Sequence, residues 1–183
     1  MNAPASERAC DVLIIGAGPA GASAARAAAK KGADVLLVER RAVVGEPVQC
    51  AEFIPAMLKG QIGLADPYIA QKVKGMKTFR PGLSETVTQA PGYIIHRNRF
   101  DQALVKAARE EGAAVMTSTR AVSRAADQHI TLQVGRKKIL TVRPKVVIGA
   151  DGPHSTVGRW AGAENTHLLP GVQVTLALEQ PLD

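Results

Sequence analysis

Aromatic residues are scarce in this chain, with three Phe, two Tyr and one Trp making up 3% of 183 residues. That argues against a stacking platform for single-stranded nucleic acid and leaves the core to aliphatic side chains and alanine. Cysteine is nearly as rare. Cys10 and Cys50 cannot make a disulfide framework, and neither sits in a C-x-x-C or near histidine at ligand spacing, so a reducing, cytoplasmic setting is expected. The four histidines, His96, His129, His154 and His167, show no H-x-x-x-H pattern, which leaves a metal site without support. Long hydrophobic runs are also missing. The stretch from Val12 to Ala29 is almost free of charge, but Pro19 and three glycines interrupt it and Arg26 lies within it. Glu7 and Asp11 precede it in place of a basic leader. It is neither a signal peptide nor a membrane span, so the chain is expected to lie on a membrane at most.

Acidic residues are in deficit: 23 Lys and Arg against 16 Asp and Glu give a formal net charge of +7. Such a balance suits a polyanion, an acidic membrane surface or an anionic cofactor. The cations fall in short groups, Lys30-Lys31, Arg40-Arg41 and Arg136-Lys137-Lys138, with no interleaved aromatics and no helix-turn-helix or zinc-finger pattern. Nucleic acid is therefore not an expected partner. Solvated faces account for the groups first, and attraction to a membrane surface second. A hydrophobic content of 46% with a mean hydropathy of zero describes an ordinary globular chain, long enough for one well-buried core. It is short for an enzyme that joins a dinucleotide-binding domain to a substrate domain.

What is present is a phosphate cradle. Gly16-Ala17-Gly18-Pro19-Ala20-Gly21 forms a G-x-G-x-x-G turn between the apolar run Val12 to Ile15 and an alanine-rich stretch. Gly16 allows the sharp turn, Gly18 lets backbone N–H groups approach a pyrophosphate, and Gly21 lets the helix sit close to the sheet. The helix N-terminus and its dipole favour the anion. Glu39 closes the next apolar run, Val35 to Val38, where it can accept protons from ribose hydroxyls. The motif counts because strand, turn, helix, strand and acid all occur in order; it does not say which dinucleotide binds.

Further along, residues 42–60 read as a long functional loop with one short helical piece. Short strand-like runs at Met76 to Phe79, Thr86 to Thr88 and Tyr93 to Ile95, separated by Pro81-Gly82 and Pro91-Gly92, suggest an antiparallel excursion. Asn98 supplies an N-cap for a helix with Phe100, Leu104, Val105 and Ala108 on one face, ending at Gly112. Val115-Met116 is a strand. Ile130 to Val134 turns at Gly135-Arg136 and pairs with Ile139 to Val142, and Val146 to Ile148 forms a separate buried strand.

That last strand leads into Gly149-Ala150-Asp151-Gly152-Pro153-His154-Ser155. A second glycine turn of this kind, after a βαβ unit and a β-rich insertion, resembles the flavoprotein hydroxylase and reductase superfamily, which binds FAD in a discontinuous Rossmann-like domain. Gly45-Glu46-Pro47-Val48-Gln49-Cys50-Ala51-Glu52, together with Gly158-Arg159-Trp160-Ala161-Gly162, looks like the geranylgeranyl reductase family in particular. The resemblance covers essentially the whole chain. It implies an α/β, glutathione-reductase-like FAD-binding domain made of residues 1–60 and 97–165, a β-rich insertion at 61–96, and the first strand of a substrate domain at 166–183.

The same resemblance implies FAD as cofactor and the hydride reduction of isolated double bonds in polyprenyl lipids. Reduced nicotinamide or ferredoxin would be the electron donor, and peripheral membrane contact would fit a lipid substrate. By position, Gly16, Gly18, Ala20 and Gly21 would meet the pyrophosphate, Glu39 the adenosine ribose, Arg40 the adenine region and Arg97 phosphate oxygens. Ala121 would lie where the backbone meets adenine, Cys50 and Ala51 beside the cofactor, and Asp151 with Gly152 at its phosphate end. Cys50 has three readings: it could tune hydride transfer, pack on the ring, or simply be a small apolar loop residue. No catalytic residue is assigned. Phe53 stands where the family has a glycine, and the family's late G-D-A segment does not occur. The chain is therefore expected to be an N-terminal portion that binds FAD weakly or not at all alone. A flavin monooxygenase acting on a small aromatic, or an inactive remnant, are the alternatives.

Overall fold

The structure is a computed structural model that describes residues 6–62, 68–82, 84–174, 176–177 and 179. Strands β1 (Ser6–Ile15) and β2 (Val35–Val38) run parallel, in register from Val12↔Val35 to Ile15↔Val38, and helix α1 (Pro19–Lys30) crosses between them. Pro19 opens α1, where its fixed φ suits a helix start and its missing N–H is not needed. After β2 the chain leaves the sheet. β3 (Phe53–Pro55), helix α2 (Ala56–Ile62), β4 (Ile69–Thr78) and β5 (Thr86–Ile95) follow, and the three strands pair antiparallel in the order β3-β5-β4.

Helix α3 (Arg97–Glu110) brings the chain back to β6 (Ala114–Met116), parallel to β2. β7 (Thr119–Arg124), β8 (Ile130–Val134) and β9 (Lys138–Gly149) form an antiparallel meander. Nearly all of β9, from Leu140 to Gly149, pairs parallel with β1, which gives the six-stranded order β6-β2-β1-β9-β8-β7. A short helix, α4 (Thr156–Trp160), follows the turn after β9.

The apolar runs of β1 and β2 are continuous because both faces of these strands are covered. Ile14, Val35 and Leu37 pack on α1 and α3, against Ala22, Ala25, Ala29, Leu104 and Ala108. Leu13, Ile15, Leu36 and Val38 pack on the other face against Ile130, Leu132, Leu140 and Val142 of the meander. Leu13, Ile14, Leu36 and Leu37 are fully buried, each stabilising the fold by roughly 2 kcal/mol. The alanine face of α1 keeps that helix close to the sheet. No helix among the described residues is long and apolar enough to cross a membrane.

Four local expectations are corrected. β5 runs unbroken through Pro91-Gly92, because the register against β4 slips between Val73↔Gly92 and Gly75↔Gln89; a bulge absorbs the proline. The two strands expected on either side of Pro144 are one strand, β9. Pro144 lies past the last β8 rung, Ile130↔Val142, where one edge of β9 is open. The α3 cap is His96, without a side-chain bond, and Asn98 sits inside the first turn. Strand β7 carries no strong alternation, with most of its residues exposed, and had not been expected. At the C-terminal end, residues 171–174 and 176–177 carry no regular structure, and Thr175 and Leu178 of the expected strand lie outside the described residues.

The turn after β1 has no room for side chains. Gly16 has φ +102, and a Cβ there would lie 2.2 Å from the Ala150 carbonyl oxygen; a Cβ on Gly21 would lie 1.9 Å from the Gly16 carbonyl oxygen. Both obstacles are backbone, so neither can rotate away. Gly21→Ala is expected to destabilise the chain by roughly 3 kcal/mol, read as a fall in the urea midpoint; an unchanged midpoint would show that α1 can move outward freely.

Candidate functional site

Three strand ends are tied together around that turn. The Gly16 N–H donates to Val38 O (2.8 Å) and the Ala150 N–H to Ile15 O (2.8 Å), which fixes the C-terminal ends of β2, β1 and β9 at one level. Ligands of open parallel sheets bind outside such carboxyl ends. At Gly18, the N-cap of α1, no side chain caps the helix, and a Cβ would meet nothing within 4 Å. The protein's own packing does not require glycine at this position. The open space lies at the positive end of a 12-residue helix, as an approaching phosphate requires.

Glu39 is the hinge between turn and loop. Its Oε2 accepts from the Ala17 N–H (2.9 Å) and its Oε1 from the Arg41 N–H (2.9 Å). Its backbone donates to Met116 O and accepts from Thr119 N (both 2.8 Å). Each carboxylate oxygen keeps a second lone pair for a hydroxyl donor. Gly16, Gly18, Glu39, Arg40, Ala121, Asp151 and Gly152 line one groove of about 250 Å³. Asp151 itself points into α4: its carboxylate accepts from Ser155 Oγ and from the Thr156 N–H (2.6 Å), while Ser155 Oγ accepts from the Gly158 N–H (2.7 Å). It thus orders the turn that forms the groove wall.

The groove continues past Gly18 and Glu39 into a 170 Å³ recess with Arg41, Gln49, Arg97 and Asp101. Arg97 Nε donates to Asp101 Oδ1 (2.7 Å), and only 6% of the Asp101 side chain is exposed. Burial pushes the Asp101 carboxyl above its ordinary value, against the opposing pull of Arg97, and the nearby charge of Glu39 adds to the rise. Arg97 is held above its ordinary value by Asp101 and by the Cys50 side chain, although its own burial acts the other way. The Arg97 backbone N–H donates to Glu52 Oε1 (3.0 Å), so a carboxylate 45 residues upstream satisfies the first turn of α3 where Asn98 had been expected to. Asn98 is used elsewhere: its Oδ1 accepts from the Arg99 N–H (2.8 Å) and its Nδ2 donates to Glu46.

Beyond Arg97 lies an apolar cavity of about 690 Å³ between α1, α3 and β3, lined on this side by Ala20, Cys50 and Arg97. Cys50 and Ala51 also border an open cleft with Gly171 to Val174. Gly21 is buried and lines none of these spaces. The expected residues other than Gly21 therefore form a track from β7 and β9, across the α1 N-terminus, to the Cys50 loop. Three contributors were not foreseen. Arg41 bridges the loop by donating to Pro47 O (3.0 Å) and Gln49 Oε1 (2.8 Å), Glu52 places Arg97, and the buried Thr119 sits in the floor of the first groove. Arg41 was visible only as the neighbour of Arg40, and Glu52 only as the end of the cysteine motif.

A glycine turn, an acid at the end of the second strand and an uncapped helix start on one sheet edge define a dinucleotide-binding domain of the Rossmann-like class. The chain belongs to the FAD binding domain family, whose model matches residues 9–170, and FAD is the cofactor of that family. A digeranylgeranylglycerophospholipid reductase of Methanothrix thermoacetophila is 42% identical over 172 residues, covering 88% of this chain and 44% of that protein. One of Methanosarcina acetivorans is 40% identical, covering 87% and 42%. The crystal structure of a geranylgeranyl bacteriochlorophyll reductase-like protein from Thermoplasma acidophilum superposes with a TM-score of 0.77 at 33% identity, covering 90% of this chain and 44% of that one. The chain thus spans less than half the length of the relatives it matches.

The raised Asp101 value fixes a sign. The folded chain holds this proton more tightly than the unfolded chain does, so the contribution of Asp101 to stability is greatest in acid. It declines as pH rises from the ordinary aspartate range through the raised value. Wild type is expected to lose stability relative to Asp101→Asn over that interval in chemical unfolding at stepped pH. The opposite slope would mean that the Arg97 pair outweighs burial.

Proposed function

We propose that the chain is the cofactor-holding part of an oxidoreductase that reduces carbon–carbon double bonds of polyprenyl lipids. The cofactor half of this reading is carried by Gly18: a helix start left uncapped, with space where a Cβ would stand, beside a carboxylate with lone pairs to spare. The donors that these residues offer match the groups of FAD. The uncapped N–H groups at the start of α1 would take the pyrophosphate. Glu39 would take the ribose hydroxyls, Arg40 and Ala121 the adenine end, and Arg97 a phosphate oxygen through a guanidinium already oriented by Asp101. Asp151 and Gly152 would shape the wall behind the phosphates, and Cys50 and Ala51 would lie toward the ring. When bound and reduced, FAD supplies hydride to an electron-poor or protonated carbon.

The substrate half rests on similarity to the archaeal reductases, and the donor, reduced nicotinamide or ferredoxin, is part of the same proposal. The division into a cofactor domain of residues 1–60 and 97–165, an insertion at 61–96 and the beginning of a substrate domain at 166–183 is likewise our reading. Support for the monooxygenase alternative is weaker: aklavinone-11 hydroxylase superposes with a TM-score of 0.60 at 22% identity, which is a likeness of fold alone.

Two measurements test the halves separately. In flavin fluorescence titration, Gly18→Ala should leave stability within about 1 kcal/mol, since its Cβ enters open space. It should nevertheless weaken FAD binding by about tenfold or more, because that space is where the phosphate comes. Cys50→Ala should weaken binding less than Glu39→Ala does. Equal affinity of wild type and Gly18→Ala would remove the phosphate assignment. A chimera carrying residues 9–170 in place of the matching segment of the Methanothrix reductase should add one hydrogen molecule per double bond to a geranylgeranyl lipid, read by mass spectrometry. A chimera that binds FAD yet leaves the lipid unsaturated would keep the cofactor assignment and reject the substrate.

A further inference from the structure

The cofactor track makes no use of the β4–β5 hairpin, which projects from the small sheet. Its far end is unusually apolar for a surface: Met76 is 59% exposed, Phe79 68% and Val87 53%. Met76 lies opposite Thr88 and Val87 opposite Lys77, so adjacent rungs turn these side chains to opposite faces, while Phe79 follows the last residue of β4. The apolar surface therefore belongs to the tip, on both sides. A partner sheet or helix would cover one face only.

The hairpin as a whole is basic, and Lys74, Lys77 and Arg80 stand toward the tip. Between Ile69 and Ile95 stand Lys72, Lys74, Lys77 and Arg80 against one acid, Glu85, and all five are exposed. None of the four cations is in an ion pair among the described residues. β4 is an edge strand, and lysines on an edge discourage pairing with another strand. That role would not call for Phe79 or Met76 beside them. The same charges would repel a second copy of the hairpin.

From this we infer that the hairpin tip is a membrane-contact element for an anionic bilayer surface, with Phe79, Met76 and Val87 entering the headgroup boundary and Lys74, Lys77 and Arg80 lying against lipid phosphates. Interfacial segments combine apolar insertion with a basic collar in this way, and the two terms reinforce each other. The assignment is independent of the cofactor reading, because β4 and the tip residues of β5 lie outside the groove and recess at the α1 N-terminus.

The test is flotation of the purified chain with vesicles of phosphatidylglycerol and phosphatidylcholine, against vesicles of phosphatidylcholine alone. Wild type should float with the anionic vesicles, less so as salt rises, and bind neutral ones weakly. Combined Lys74→Glu, Lys77→Glu and Arg80→Glu should lower binding by about tenfold or more. Phe79→Ser should lower it with the charges intact, and both variants should keep the wild-type far-ultraviolet circular dichroism and urea midpoint. In Phe79→Trp, brominated acyl chains should quench fluorescence beyond the wild-type signal of Trp160. Undiminished binding by the charge-reversed variant, equal binding to neutral vesicles, no binding by wild type, or a dimer lost on Phe79→Ser would each overturn the inference.

Discussion

The structure depends on a backbone-to-backbone contact that excludes side chains. Gly16 and Gly21 bring the start of α1 against its own strand and against the turn after β9, with distances that leave no room for a single Cβ. Because β9 is far away in sequence, the N-terminal turn is complete on both sides only with β9 in place. Its consequence is geometric: the uncapped end of α1 is set between the ends of β1, β2 and β9, where Glu39 and the Gly149-Ala150-Asp151-Gly152 turn can meet one ligand.

Within that frame the acidic residues have different tasks, although all stand near an expected anion. Glu39 and Asp151 are held by backbone N–H groups, which absorb their charge locally and keep them from repelling a phosphate at full strength. Asp101 is instead buried against Arg97. Burial pushes its carboxyl above the ordinary value while the Arg97 pair pulls the other way. What the arrangement provides is a guanidinium whose orientation is set from below by Asp101 and whose backbone is set by Glu52.

Much of this was legible in the residues. The buried parallel strands announce themselves as short aliphatic runs, and β2 coincides with Val35 to Val38 as expected. Gly16, Gly18, Glu39, Arg40, Ala121, Asp151 and Gly152 converge on one groove because local motif chemistry and sheet topology point the same way. What escaped was set by distant partners. Nothing near Arg97 says that Glu52 will satisfy its N–H, so the local rule for caps selected Asn98. Pro91 and Pro144 read as breaks, yet a bulge and an open edge accommodate them. β7 is strand only because β8 pairs with it; its side chains are mostly exposed and carry no period-two signal.

The distribution of positive charge follows from the same division. A net charge of +7 could have been one diffuse field, but two arginines of the recess are tied down, Arg97 to Asp101 and Arg41 to Pro47 and Gln49. A tied guanidinium offers a fixed donor to one phosphate and little long-range attraction beyond it, since its partners offset or direct its charge. The lysines of β4 stand on an exposed edge. Ammonium groups on flexible stems suit a surface of many equivalent phosphates, where position matters less than number. On the two readings proposed above, arginine in the recess and lysine along the hairpin would be two solutions to two different anions: one held singly at a defined place, the other met as a plane.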